Sequence, residues 1–130
     1  MALALAACES GPGANGNGPY APGTLPYDAG SVDGLLVGHR LMAAGEYELA
    51  LKSYLRSAAD QGITVDVLSA LGSANLKLGR LGQAETLLRQ ATRKDPDFVP
   101  AWNNLGVVLM ETGQVAEAAR VFRIAYGLDS

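Results

Sequence analysis

Residues 100–128 read PAWNNLGVVLMETGQVAEAARVFRIAYGL. Apolar residues recur at spacings of three and four on both sides of Gly113, the pattern of two amphipathic helices. Gly113 falls where the chain has to reverse, and glycine takes up the left-handed end of a helix without a Cβ clash. The same reading holds twice upstream. GLLVGHRLMAA (34–44), Gly45 and EYELALKSYLRSAA (46–59) form one pair, and DVLSALGSANLKL (66–78), Gly79 and LGQAETLLRQATR (81–93) form another.

The three stretches repeat in register. Gly38, Gly72 and Gly106 are spaced by 34 residues, as are Gly45, Gly79 and Gly113, and Ala50, Ala84 and Ala118. A fixed period of this size implies stacked supersecondary units that share a continuous core. Gly at the centre of a helix costs about 1 kcal/mol against Ala, so its recurrence at 38, 72 and 106 predicts close approach of two helix backbones. Ala50, Ala84 and Ala118 offer the facing low surface. Leu71, Leu105, Tyr54, Leu88 and Phe122 supply the larger knobs, and truncating buried Leu105 or Phe122 to Ala is expected to cost about 2–5 kcal/mol. Asp66 and Asp97 are placed near starts of first helices, where carboxylates suit the helix dipole.

Composition narrows the function. The 130 residues are 48% hydrophobic but only 6% aromatic, which favours close helix packing over a sheet. The net charge of −3 comes from interspersed charges without a basic stripe, so nucleic acid is not an expected partner. Cys8 is the single cysteine and cannot form an intramolecular disulfide. No apolar run reaches the roughly 18–20 residues that span a bilayer. His39 is the sole histidine, no Cys/His cluster is present to hold zinc, and no phosphate loop appears. Asp95 and Asp97 flank Pro96 in a turn and read as solubilising groups. The chain is expected to have no enzymatic activity and to use no cofactor or metal.

The columns resemble the tetratricopeptide repeat family. The third unit matches its signature with Trp102, Leu105, Gly106, Leu109, Ala118, Phe122 and Ala125, and departs at Ser130, where Pro is usual. The second matches with Leu68, Leu71, Gly72, Ala84, Leu88, Ala91 and Pro96, and departs at Asn75. The first is the most degenerate: Val37, Gly38, Leu41, Ala50 and Tyr54 fit, whereas Gly34, Ser57 and Gly62 depart. The resemblance implies an all-α fold, an α–α superhelix or solenoid of three helix-turn-helix units (31–64, 65–98 and 99–130) preceded by a disordered N-terminal segment. It also implies a right-handed superhelix whose first helices line a concave groove. By that resemblance the groove positions are Leu35, His39 and Met42, then Ser69, Ser73 and Leu76, then Asn103, Val107 and Met110. They would hold a protein or peptide partner through apolar contacts with a few polar groups setting register. Family members that grip a C-terminal carboxylate use Lys, Arg and Asn. Leu35 and His39 stand at matching positions here, so binding of chaperone tails is not expected.

Two further features concern the ends. Ile124, Tyr126 and Leu128 replace the more polar Gln90, Thr92 and Lys94 of the second unit, although terminal repeats usually present a polar face. This predicts a C-terminal interface covered by a second copy of the chain, by a partner, or by the N-terminal tether. At the other end, Leu5-Ala6-Ala7-Cys8 within residues 1–8 resembles the bacterial lipoprotein box, in which the Cys is lipidated, although only seven residues precede it and none is basic. Residues 9–30, rich in Gly, Pro and Asn, read as a flexible tether with an r.m.s. span of roughly 25 Å. Tyr20, Leu25 and Tyr27 are its larger side chains. A lipid at Cys8 would place the domain at the periplasmic face of the outer membrane. The combination is similar to the accessory lipoproteins of bacterial pilus and secretion machines, the tight-adherence (Flp) pilus among them, with a pilus or secretin component as partner. The other reading is a cytosolic adaptor in which Cys8 is incidental.

Overall fold

The computed structural model describes residues 33–129, and the chain divides into two units after Asp33. Cys8, the tether and Tyr20, Leu25 and Tyr27 lie outside the described residues. The described part consists of six helices and no strand: α1 (Gly34–Ala43), α2 (Tyr47–Gln61), α3 (Val65–Lys77), α4 (Leu81–Lys94), α5 (Val99–Glu111) and α6 (Val115–Asp129).

Each unit is a helix hairpin closed by the same turn. Gly45, Gly79 and Gly113 have φ of 78°, 76° and 80°, the left-handed conformation expected of them. The residue after each glycine donates its N–H back to the last turn of the first helix: Glu46 to the Leu41 carbonyl at 2.8 Å, Arg80 to Asn75 at 2.9 Å and Gln114 to Leu109 at 2.8 Å. These bonds satisfy carbonyls that the ending helix leaves open. The links between units are individual. Gly62, with φ of 90°, and Thr64, whose hydroxyl accepts from the Val67 N–H at 3.2 Å, open α3. Before α5, Asp95 Oδ1 accepts from the Asp97 N–H at 3.0 Å and Trp102 Nε1 donates to the Pro96 carbonyl at 2.7 Å. Asp97 therefore sits in the turn and outside the first turn of α5, which has no acidic residue, while Asp66 does lie in the first turn of α3.

The core runs unbroken from unit to unit. One cluster joins Ala50 and Tyr54 of the first unit to Val67, Leu71 and Ala74 of the second, and another joins Ala84 and Leu88 to Leu105, Leu109 and Val121. Helices α3 and α5 each pack on the second helix before them as well as on their own, which is the nesting of a solenoid.

The mid-helix glycines correct one expectation. The neighbour of Gly38, Gly72 and Gly106 is a side chain of the second helix, not its backbone. A Cβ would overlap the Tyr54 ring at Gly38 and the Phe122 ring at Gly106, and at Gly72 it would stand 2.5 Å from Leu88 Cγ. Glycine makes the hole into which the knob sixteen residues later fits. Close backbone approach occurs elsewhere, at Gly34, where a Cβ would lie 2.6 Å from the Ser53 carbonyl oxygen. Gly34 and buried Ser57 take the places of Trp102 and Ala125, so the first hairpin is pinched where the third is wedged. Phe122 is half-buried at the margin of its cluster, whereas Tyr54 and Leu88 are fully enclosed, because Phe122 belongs to the last described unit.

Candidate partner-binding groove

Helix α3 lies between α1 and α5, touching both, so the three first helices form one wall. A cavity of about 450 Å³ opens on it. His39 and Met42 of α1, Ser69 and Ser73 of α3 and Asn104 of α5 converge there, with Tyr54 reaching in from α2. Asp66, Phe98 and Pro100 complete the rim, and no Lys or Arg lines the cavity.

The nine positions assigned to the groove separate in the structure. His39, Met42, Ser69 and Ser73 are brought together. Ser69 was expected to be exposed and is only 5% so, because α3 is flanked on both sides. Leu35 packs against the first core cluster. Leu76 packs on the edge of the core shared by the second and third units, and with Val107 it lines a separate hollow of about 310 Å³. Asn103 and Met110 are exposed and line neither cavity. Asn104, one position on, points into the groove in place of Asn103. Each helical residue turns the side chain by about 100°, so a slip of one position is enough to exchange them.

Tyr54 is the cavity-lining residue that the repeat concealed. It occupies the knob column with Leu88 and Phe122, and only it carries a hydroxyl. That oxygen lies 2.9 Å from His39 Nδ1, and the two rings meet edge-on with centroids 5.5 Å apart. Burial disfavours the phenolate and pushes the Tyr54 pKa up to about 12. Tyr54 therefore stays a neutral phenol, hydrogen-bonded to His39 at the base of the groove.

The three residues assigned to a C-terminal interface do not form one face. Helix α6 is continuous through them, so Ile124 and Leu128, four apart, share a stripe while Tyr126 lies about half a turn away. Tyr126 is 79% exposed, Leu128 is less so, and Ile124 is half-buried.

Residues 69–130 match the family model described as Tetratricopeptide repeat. The second and third hairpins are thus similar to tetratricopeptide repeats, and the helical solenoid has the same kind of fold. The chain is 30% identical over 92 residues to Protein O-mannosyl-transferase TMTC2 of Homo sapiens, a match that covers 71% of this chain and 10% of that protein. It is 31% identical over 90 residues to Tetratricopeptide repeat protein 8 of Caenorhabditis elegans, covering 68% of this chain and 18% of that one. The chain thus spans no more than about a fifth of the length of these curated relatives. Among solved structures, the second tetratricopeptide domain of Spaghetti (RPAP3), bound to the HSP90 peptide SRMEEVD, superposes with a TM-score of 0.68 at 25% identity, over 73% of this chain and 88% of that one. The tetratricopeptide fold is a protein-interaction scaffold, and its first helices here frame the groove just described.

Proposed function

We propose that this chain seats an extended segment of another protein in the concave groove and performs no chemistry of its own. The observation that carries this is the convergence of His39, Ser69, Ser73 and Asn104 from three successive first helices on one cavity. Their imidazole, hydroxyl and amide groups can bond the main chain of a segment, and Met42 and Phe98 offer apolar contact to its side chains. The HSP90 peptide held by the Spaghetti domain is acidic. In this chain the cavity contains Asp66 and lacks a Lys or Arg, so a neutral or basic internal segment suits it better than an acidic C-terminal tail.

The test places a photo-crosslinking amino acid at Met42 and, separately, at exposed Gln90 on a second helix. A discrete partner captured from Met42, reduced at least fivefold by Asn104→Ala and absent from Gln90, is the expected result. Equal capture from both positions would defeat the groove reading.

We infer further that a lipid on Cys8 holds the domain at the periplasmic face of the outer membrane, where it assists assembly of a pilus or secretion machine. Leu5-Ala6-Ala7-Cys8 and the Gly- and Pro-rich stretch that follows support this reading. Mass spectrometry of membrane-extracted protein should find acyl mass at Cys8 and lose it in Cys8→Ala. Recovery of unmodified protein in the soluble fraction would favour the cytosolic adaptor.

A further inference from the structure

The seams between neighbouring second helices differ on the side away from the concave groove. Between α4 and α6 the seam is closed by polar bridges. Gln114 Nε2 donates to Glu85 Oε1 at 2.9 Å, and Arg89 Nη2 donates to Glu117 Oε1 at 2.9 Å. One repeat earlier, between α2 and α4, the corresponding pairs are Leu51 with Arg80 and Leu55 with Gln83. Neither can form the same bridge. The single crossing ion pair, Arg80 Nη2 to Glu48 Oε1 at 2.6 Å, closes only one end.

Beyond that ion pair lies a mostly apolar groove of about 660 Å³. Leu51 and Leu55 form one wall, Thr86 and Leu87 the other, and Leu71 and Asn75 the floor. Asn75 stands where the third unit has Leu109 and folds back, its Nδ2 donating to the Leu71 carbonyl at 2.8 Å, so it leaves depth that a leucine would fill. Leu55 is 52% exposed on the wall. A leucine pair in place of the charges that close the other seam leaves apolar surface uncovered, a state that marks interaction sites.

The charge at the mouth selects the occupant. Arg80 stands at the start of α4, a helix with no acidic residue in its first turn and no side-chain cap, so its free N–H groups add positive potential. Exposed Lys52 follows Glu48 by one turn on α2. Arg80 is the one charged residue among those that line the groove, so a cation and a helix N-terminus face the occupant at this end. We propose that the groove between α2 and α4 docks an amphipathic helix of a partner protein, presenting two leucine-sized side chains one turn apart and an acidic residue toward Arg80. A helix is the shape that enters a trough between two helices, its i, i+4 ridge lying along the Leu51 and Leu55 wall.

The test uses the 130-residue chain and a fluorescently labelled synthetic helix with leucines at i and i+4 and flanking glutamates, beside a twin in which every glutamate is lysine. The acidic helix should bind at least tenfold more tightly by anisotropy. Leu55→Arg combined with Gln83→Glu recreates the bridge of the other seam and should weaken that binding at least tenfold without lowering the thermal midpoint. Thr86→Arg, at an exposed position on the opposite wall, should weaken it as well, and Met42→Arg in the concave groove should leave it unchanged. Failure of the acidic helix to bind, equal binding of both twins, or wild-type binding by the double variant and by Thr86→Arg would overturn the proposal.

Discussion

Between α4 and α6 the surface seam is stitched by Glu85, Arg89, Gln114 and Glu117, whereas between α2 and α4 the corresponding places hold Leu51, Leu55, Arg80 and Gln83 and stay open. The hairpins on either side have the same turns and the same glycine holes. The difference teaches that the 34-residue period specifies how helices nest, while residues outside its columns decide which surfaces are sealed and which are left for a partner. The first and third hairpins repeat the lesson, since Gly34 with Ser57 and Trp102 with Ala125 are two ways of spacing the same pair of helices.

The comparison breaks most visibly in the core. Leu105→Ala removes a fully buried knob shared by two units and should cost about 3 kcal/mol in chemical denaturation, whereas Leu55→Ala on the open seam should change stability by less than about 0.5 kcal/mol. Equal losses at the two positions would mean that the open seam is already filled.

A second effect separates Tyr54 from the other knobs. Its pKa in the folded chain is raised to about 12 from the usual 10, so the neutral form favours folding. That contribution is fully present below pH 10 and is lost as pH rises through 12. Complete loss would remove on the order of 2 kcal/mol. Thermal midpoints measured from pH 9 to 12 should fall more steeply for the wild type than for Tyr54→Phe, which has no proton to lose. Parallel slopes would contradict burial of the hydroxyl.

The smallest effect sharpens the seams themselves. Leu55→Arg with Gln83→Glu should raise stability by about 0.5 kcal/mol, the scale of a partly exposed ion pair, and Arg89→Ala should lower it by a similar amount. Added salt should erase both changes.

The hairpins, their turns and most core positions were legible in the sequence because they depend on spacing within a helix pair. The groove was legible to the face of each helix, and less so to the residue. Asn104 displaced Asn103 by a single step of helical rotation, and Ser69 became buried because helices from two other units flank it. Tyr54 was read as a knob only, since a column of Tyr, Leu and Phe describes size and says nothing of where a hydroxyl emerges. The apolar seam escaped because Leu51 and Gln83 belong to different hairpins, and amphipathic spacing does not report which side chains meet across thirty residues.

The most direct test of the central claim, that glycine holes receiving large knobs hold the units in register, compares two glycine-to-alanine changes. Helix propensity alone favours both by about 1 kcal/mol. A Cβ at Gly127 meets nothing within 4 Å, so Gly127→Ala should raise stability in urea unfolding. A Cβ at Gly72 collides with enclosed Leu88, so Gly72→Ala should lower it by about 1–3 kcal/mol. A gain in stability at Gly72 equal to that at Gly127 would contradict the account.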